Sequence, residues 1–261
     1  MAIVGAGATG VELAAELQHA ARELAAYGLD NIQPKDMHIT VVEGNARVLP
    51  ALPERVSESV SIELEKLGVT VLLSARVTEV TVDGFKTASG DFIPASLKVW
   101  AAGIQALALL KDLDGLEVNR INQLVVRPTL QSTLDDDIYA MGDCAACALD
   151  DGRNVPPRAQ AAHQQASLLA KSLGRRLAGR SLMEYRYVDY GSLVSLSRHS
   201  AVGNLMGNLL GSVKVEGWLA RMFYLPLYRM HQVALYGLFR TALLILGDCL
   251  SRGTDPTLKL H

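Results

Sequence analysis

The stretch IVGAGATG, residues 3–10, decides the fold of this chain of 261 residues. A short apolar strand runs directly into a GxGxxG turn, and the Ala/Leu/Glu-rich residues 11–28 then have strong helix propensity, with Gly28 as a predicted cap. This order predicts a dinucleotide-binding turn, in which Gly5 makes the bend, Gly7 admits a diphosphate and Gly10 lets the helix pack on the strand. A glycine-rich turn that binds nothing is the alternative.

The second half of this pattern is an acidic residue at the end of the next strand. Residues 38–42 (HITVV) are predicted to form that strand, and Glu43 follows it. A carboxylate there can accept hydrogen bonds from both hydroxyls of an adenosine ribose and repels a 2′-phosphate, which favours NADH over NADPH. Glu43 lies 33 residues after Gly10, against about 20 in the usual pattern, and a long helix and loop account for the excess. The nearby Arg47 could bind a 2′-phosphate, so NADPH remains the alternative coenzyme.

The rest of the first hundred residues predicts one α/β unit. Residues 54–67 predict an amphipathic helix that ends at Gly68. Five short strands are predicted after it, at 69–73, 77–82, 85–87, 91–93 and 97–101. This order predicts a Rossmann-like dinucleotide-binding domain over residues 1–103, with an inserted antiparallel meander and a return strand that leads into WAAG at 100–103.

A second nucleotide signal follows in the next seventy residues. Residues 124–126 and 138–141 are predicted strands, and the second of them ends in Gly142-Asp143. A carboxylate at the carboxyl end of a parallel strand can bind sugar-like hydroxyls, including the ribityl chain of a flavin. The alternative makes Asp143 the N-cap of a helix that begins at Cys144.

Composition and charge exclude several function classes. The 25 Lys and Arg against 27 Asp and Glu give a net charge of -2, which argues against a protein that coats nucleic acid. Three cysteines are too few for a disulfide framework in a chain of this length. The CxxC pair Cys144 and Cys147 has no second pair with which to form a four-thiolate zinc site, so no metal is predicted.

The last eighty residues differ from the rest of the chain. Residues 181–261 hold nine of the fourteen aromatic residues and carry a net charge of +3. Tyr-rich residues 185–197 predict strands, and residues 217–250 predict an apolar helix with Arg221, Arg229 and Arg240 on one polar arc, broken into two pieces at Pro226. The uncharged runs are too short for a spanning helix, so we expect an interfacial anchor attracted to anionic lipid. The alternative is packing on the body of the protein or a homodimer interface.

Taken together, four segments resemble the flavoprotein pyridine-nucleotide oxidoreductase superfamily: GAGATGVELAAEL, VVEG, WAAG and IYAMGDCA. Within it, PPRAQAAHQQA at 156–166, followed by the basic aromatic region, resembles the type II (alternative) NADH:quinone oxidoreductases of respiratory chains. The resemblance spans almost the whole chain. It implies hydride transfer from NADH to FAD and then transfer of two electrons to a quinone, without proton pumping.

The resemblance also implies roles for particular residues. NADH would be held by Gly5, Gly7, Gly10 and Glu43, and FAD would be contacted by Gly142 and Asp143. Ala102 and Gly103 would lie at the crossover beside both cofactors. Catalytic roles near the nicotinamide and the quinone fall to Glu12, Gln160, His163 and Gln164. The last three share one face of a helix predicted over 158–173, where His163 is a proton donor or a packing residue.

Family members carry a first GxGxxG for FAD ahead of the NADH motif, whereas this sequence starts inside the first strand of the NADH domain. We therefore expect the C-terminal portion of a larger flavoenzyme, inactive by itself. It would hold part of a FAD domain at 104–175 and a membrane-associating, amphipathic helical region at 176–261, peripheral to the cytoplasmic face of the inner (plasma) membrane. The alternatives are an NAD-binding module without activity in this form and a related soluble flavoprotein reductase.

Overall fold

A computed structural model describes residues 1–26, 36–195, 201–205, 213–215 and 218–251. It divides into two compact units, one formed by Met1–Ala102 together with Gly191–His261 and the other by Gly103–Tyr190. These boundaries differ from the three predicted parts, 1–103, 104–175 and 176–261. The functions assigned to those parts remain predictions.

The first unit is built on a four-stranded parallel sheet. Its strands are β1 (Ala2–Val4), β2 (Ile39–Val42), β3 (Val69–Leu72) and β7 (Lys98–Trp100), in the order β3-β2-β1-β7. In register, Ile3 pairs with Val41 on one side and with Val99 on the other. The crossovers are helices α1 (Ala8–Ala26) and α2 (Glu54–Lys66). The predicted α/β class and Rossmann-like order are confirmed.

The helices cover one face of this sheet because each presents an apolar stripe to it. On α2 the buried side chains Val56, Val60 and Leu64 recur at helical spacing, as predicted. They pack in one core cluster with Val11 and Ala14 of α1 and with strand residues of the sheet. Helix α1 is described as far as Ala26, and the predicted cap Gly28 lies outside the described residues.

The opposite face of the sheet is covered by the predicted meander. Strands β4 (Val77–Val80), β5 (Gly84–Thr87) and β6 (Phe92–Pro94) form an antiparallel sheet of their own. Phe85 and Ile93 are buried against Ala2, Val4 and Val42 of the parallel sheet. The meander therefore packs against β1 and β2 on the face opposite the helices. The glycine turn follows the carboxyl end of β1.

The second unit pairs two short parallel strands with one long helix. These are β8 (Leu124–Val126), β9 (Ala145–Cys147) and α3 (Ala159–Leu177). The predicted strand at 138–141 is wrong, since within it only Tyr139 makes an isolated bridge, to Gln131. The alternative helix at Cys144 is also wrong, because residues 142–144 form one 3-10 turn and β9 follows directly.

The C-terminal part of the first unit holds a second antiparallel sheet and the helix α4 (Trp218–Ser251). The sheet strands are β10 (Gly191–Ser195), β11 (Ala201–Leu205) and β12 (Val213–Val215). Strand β10 lies against α1, and β11 lies against α2 and α4. Of the strands predicted over 185–197, residues 191–195 form β10, residues 185–190 form none, and residues 196 and 197 lie outside the described residues.

Helix α4 is broken at Gly237, not at Pro226. Gly237 has φ 78° and ψ 166°, outside the helical region, whereas Pro226 lies within continuous helix. The guanidinium of Arg229 pairs with Asp248 across the break, although 19 residues of straight helix would separate them by about 28 Å. The two parts of α4 therefore fold back on each other, so Arg240, beyond the break, does not continue one helical arc with Arg229 as predicted, and the side chain of Arg221 lies outside the described ones. Among the described residues, no helix has the length and apolar character needed to cross a membrane.

Candidate functional site

The glycine turn between β1 and α1 is closed tightly on its inner side. Gly5 has φ +104°, and a Cβ there would lie 2.8 Å from the carbonyl of Ala101 and the Cα of Ala102. A Cβ on Gly10 would lie 1.9 Å from the carbonyl oxygen of Gly5. Both positions therefore require glycine, because backbone leaves no room for a side chain.

The outer side of the same turn is open at Gly7. A Cβ built there meets no heavy atom of the described residues within 4 Å, so none of them demands glycine at this position. Helix α1 begins at Ala8, and Val11 donates the first intrahelical hydrogen bond, to the carbonyl of Gly7. The amides just before Val11 have no acceptor within the helix. An open concave turn at a helix N-terminus is suited to an anionic group such as a diphosphate.

Glu43 closes the site from β2, one residue after the strand ends. It is only 7% exposed, and its Oε2 accepts a hydrogen bond of 2.7 Å from the amide of Ala6 in the glycine turn. Its Oε1 accepts two bonds from Asn45, 2.9 Å from the backbone amide and 2.6 Å from Nδ2. The carboxylate is thus fixed beside the turn.

The remaining four predicted residues of this region are placed as follows. Arg47 donates to the carbonyls of Leu52 (2.7 Å) and Pro50 (2.8 Å), so its guanidinium holds its own loop. Glu12 lies on α1, two residues beyond Gly10, and is half-buried. Ala102 lies next to Gly5, as the Cβ position above shows, and Gly103 (φ +73°) begins the second unit.

In the second unit, Gly142 and Asp143 form a sharp turn held from two sides. Gly142 has φ +69°, and its amide donates to Oε1 of Gln165 on α3 at 2.6 Å. The carbonyl of Asp143 accepts from Nε2 of Gln123 at 2.9 Å. The carboxylate of Asp143 remains at the exposed surface of the turn, where it could meet ligand hydroxyls.

Gln160 and Gln164 both bind the segment 188–190, which runs alongside α3. Gln164 donates from Nε2 to the carbonyl of Val188 (2.8 Å) and accepts from its amide (3.0 Å). Gln160 donates to Asp189 Oδ1 (3.2 Å) and accepts from the amide of Tyr190 (3.1 Å). His163 is half-buried on the same helix.

Charged and aromatic groups accompany this segment. Arg158 lies 3.5 Å from Asp189 as an ion pair. Burial raises the pKa of Tyr187, Asp189 raises it further and Arg158 opposes the shift. The pKa of the Tyr185 hydroxyl is raised mainly by burial and also by Tyr187 and Cys147.

The two cysteines of the CxxC pair lie in different surroundings. Cys147 is buried in the core of the second unit, and burial raises the pKa of its thiol. Cys144 is half-exposed and its Sγ donates to the carbonyl of Met141. Within the described ranges, His, Cys, Asp and Glu form no group of three that could hold a metal ion.

The structure thus brings together two sets of predicted residues. Gly5, Gly7, Gly10, Glu43 and Ala102 share the turn of the first unit, and Gly142, Asp143, Gln160, His163 and Gln164 belong to α3 and its surroundings in the second. Their binding and catalytic roles remain predictions. Sequence reasoning missed Asn45 and Gln165. Gln165 had a signal, since i and i+4 placement with Ala161 puts it on the buried face of α3.

Comparison with known families and proteins agrees with this geometry. The family model described as pyridine nucleotide-disulphide oxidoreductase matches residues 1–166. A type II NADH:quinone oxidoreductase of Haemophilus influenzae is 49% identical, and the alignment covers 100% of this chain and 59% of that protein. The type II NADH:quinone oxidoreductase Ndh of Mycobacterium tuberculosis is 31% identical over 87% of this chain and 49% of its own length. The chain therefore spans half to three fifths of these curated relatives.

Solved structures share the fold. NDH2 from Plasmodium falciparum, solved in complex with NADH, superimposes with a TM-score of 0.78 at 18% identity, over 99% of this chain and 66% of that one. A NAD-dependent persulfide reductase from A. fulgidus gives a TM-score of 0.59 at 25% identity, over 79% of this chain and 36% of that one. The family model covers well over half of the chain, so this chain belongs to the pyridine nucleotide-disulphide oxidoreductase family.

Proposed function

We propose that this chain is the NADH-binding and acceptor-side portion of a FAD-dependent NADH:quinone oxidoreductase. The observation that carries the proposal is the turn open at Gly7, with the buried carboxylate of Glu43 fixed beside it. The likeness to type II NADH:quinone oxidoreductases along the whole chain supports the electron acceptor.

The first unit would bind and orient NADH. The amides at the start of α1 would take the diphosphate, and the open side of Gly7 leaves room for its oxygens. Glu43 would accept from the adenosine ribose and repel a 2′-phosphate. Arg47 is engaged by its own loop, which favours NADH over NADPH.

The second unit would hold part of the FAD site. Gly142 and Asp143 fit such a group. Hydrogen bonds with Gln165 and Gln123 fix the backbone of the turn, and the Asp143 carboxylate stays exposed. FAD, when bound, would accept a hydride from NADH and pass two electrons on to a quinone. The protein supplies position and electrostatics for that chemistry.

The acceptor side would involve the segment held by α3. Gln160 and Gln164 fix residues 188–190, and carboxamide N–H groups such as theirs are donors of the kind that suits a quinone carbonyl. Glu12 in the first unit and His163 in the second would each take part in proton movement, His163 because an imidazole changes charge near neutral pH.

The proposal is tested first on the chain itself by isothermal titration calorimetry with NADH. We expect saturable binding that weakens in Glu43→Gln, with less discrimination against NADPH, because the carboxylate no longer repels a 2′-phosphate. Absence of binding to the wild-type chain would refute the proposal. In the full-length enzyme, Gln160→Ala is expected to slow quinone reduction more than flavin reduction by NADH, and equal losses would remove Gln160 from the acceptor side.

A second candidate is an NAD-binding module without activity, favoured because the glycine turn and the Glu43 carboxylate are both held within the first unit. It predicts that the purified chain binds NADH yet shows no visible flavin absorbance after incubation with FAD. The two candidates differ in that spectrum alone, which makes it the deciding measurement.

The C-terminal region would attach the protein to the cytoplasmic face of the inner (plasma) membrane or form a homodimer interface. Large apolar side chains of α4 are exposed, among them Leu235, Leu238, Phe239 and Leu250, and they suit a lipid interface. Deleting residues 217–261 is expected to abolish flotation with vesicles that contain anionic lipid. A deletion variant that still floats would refute the attachment, and sedimentation equilibrium would reveal a dimer instead.

A further inference from the structure

Asn45, which no sequence pattern singled out, makes two contacts with the most deeply buried carboxylate of the glycine-turn site. Its backbone amide lies 2.9 Å and its Nδ2 2.6 Å from Oε1 of Glu43. The side chain of Asn45 itself lies at an exposed position in the turn after β2. Asn45 thus joins the buried carboxylate of Glu43 to an exposed position of the chain.

The hydrogen-bonding capacity of Glu43 shows what Asn45 does. An ionised carboxylate has about four acceptor positions, two on each oxygen. Asn45 takes both positions on Oε1, and the amide of Ala6 takes one on Oε2 at 2.7 Å. Counting the residues that the structure describes, one acceptor position is left, and it belongs to Oε2, which accepts from the glycine turn.

The turn that carries Asn45 is itself fixed by backbone contacts. Ser74 donates to the carbonyl of Asn45 and Ala75 donates to the carbonyl of Glu43, both at 2.8 Å. Neither contact depends on the Asn45 side chain. Removing that side chain therefore alters the carboxylate with little disturbance of the backbone around it.

We propose that Asn45 is a positioning residue that determines coenzyme specificity. It holds Oε1 of Glu43 so that Oε2 alone meets one adenosine-ribose hydroxyl, with the negative charge fixed against a 2′-phosphate. This rests on the proposed function, in which the turn binds NADH. The sequence predicts that Glu43 accepts hydrogen bonds from both ribose hydroxyls. Under this proposal it accepts from only one, because the protein occupies three of its four acceptor positions.

The test is calorimetry on the chain with NADH, NADPH and an NADH analogue that lacks both adenosine-ribose hydroxyls. For Asn45→Ala we expect NADH to bind about fivefold to tenfold more weakly. The preference for NADH over NADPH should shrink, because Oε1 of Glu43 keeps only the backbone amide of residue 45 as a donor and the carboxylate is held less firmly against a 2′-phosphate. The analogue should bind the variant and the wild type equally, since it makes no bond to Glu43.

Two further variants make the test specific. Asn45→Asp has the same shape but no Nδ2 donor and places a second carboxylate beside Glu43, so it should weaken NADH binding at least as much as Asn45→Ala. Asn154→Ala makes the same change at an exposed position in the second unit and should leave all three affinities unchanged. Melting temperatures verify folding, and Asn45→Ser replaces Asn45→Ala if the latter does not fold.

The outcomes separate the two proposals. If the wild-type chain binds NADH but Asn45→Ala binds it within twofold of the wild type, the role of Asn45 is refuted and the NADH site stands. Equal weakening for NADH and for the analogue without hydroxyls also refutes it, because that result indicates a general structural role. A wild-type chain that does not bind NADH refutes the proposed function and the role of Asn45 with it.

Discussion

Oε1 of Gln165 accepts a hydrogen bond of 2.6 Å from the backbone amide of Gly142. Gln165 is 2% exposed on α3, and Gly142 lies in a left-handed conformation just before the exposed Asp143. A single buried side chain therefore ties the turn that carries Asp143 to the helix that carries Gln160 and Gln164. This tie links the flavin-side and acceptor-side groups of the proposed function within one unit.

Gln165→Leu should destabilise the second unit by about 1–3 kcal/mol, since the amide of Gly142 loses its acceptor in a buried setting. Urea denaturation followed by circular dichroism measures this loss. Amide hydrogen exchange at Gly142 should accelerate in the same variant. Ser167→Leu, at an exposed position two residues further along α3, is the matched control. A stability like that of the wild type would show that the turn does not depend on Gln165.

Gly7→Ala and Gly10→Ala should separate ligand binding from folding. Gly10→Ala places a Cβ 1.9 Å from the Gly5 carbonyl oxygen and should cost at least about 3 kcal/mol of unfolding free energy. Gly7→Ala meets only open space, so it should keep the melting temperature while NADH binding is lost. Thermal denaturation and calorimetry on the two variants check this pair. Wild-type affinity for NADH in Gly7→Ala would contradict diphosphate binding at the turn.

The sequence predicts the first unit well because its signals are local. The glycine turn, the apolar stripe of α2 and the short alternating strands each follow from neighbouring residues, and the parallel order follows from the βαβ connections. By contrast, residues 138–141 are apolar and strand-like but make one isolated bridge, because pairing depends on a distant partner strand. Likewise, α4 breaks at Gly237, which adopts a positive φ that glycine permits. The pair of Arg229 with Asp248 lies across that break, and no rule about neighbouring residues predicts that contact.

The residues of the candidate site also fall into those that the sequence predicts and those that it does not. Gly5, Gly10 and Glu43 were predicted from spacing, and the structure gives each a steric or hydrogen-bonding reason. Asn45 was missed although it lies two residues from Glu43, because no motif specifies its two hydrogen bonds to that carboxylate. Gln165 was missed because its hydrogen bond reaches Gly142, 23 residues away in the sequence.

Gln164→Ala should release the segment 188–190 from α3. The paired bonds of Gln164 to the amide and carbonyl of Val188 (3.0 and 2.8 Å) would be lost, so amide exchange at Val188 should become at least about tenfold faster, as a loss of roughly 1.4 kcal/mol implies. Hydrogen–deuterium exchange on the chain measures it. Ala162→Ser, a small change on the same helix, is the control. Unchanged exchange at Val188 would show that the segment is held by other contacts.

Stability should decrease at alkaline pH because three weak acids are held neutral in the second unit. Burial is the main reason why the pKa values of Cys147, Tyr185 and Tyr187 are raised in the folded protein. Their stabilising contributions are complete below the unfolded pKa values, about 8.5 for Cys and 10 for Tyr. They are lost as the pH rises through the folded values, because the unfolded chain ionises first. Each ionising group then lowers the unfolding free energy by up to about 1.4 kcal/mol per pH unit.

Urea denaturation between pH 8 and pH 11 measures this fall, and Cys147→Ala separates the thiol from the tyrosines. In that variant the decline should begin about 1.5 pH units higher, where the tyrosines of the unfolded chain start to ionise. Cys144→Ala removes the other thiol of the CxxC pair and is the matched control. An unfolding free energy that stays constant up to pH 11 would contradict the raised pKa values. At that pH the thiol and phenol groups ionise in the unfolded chain, so groups that stay neutral in the folded protein must lower the unfolding free energy.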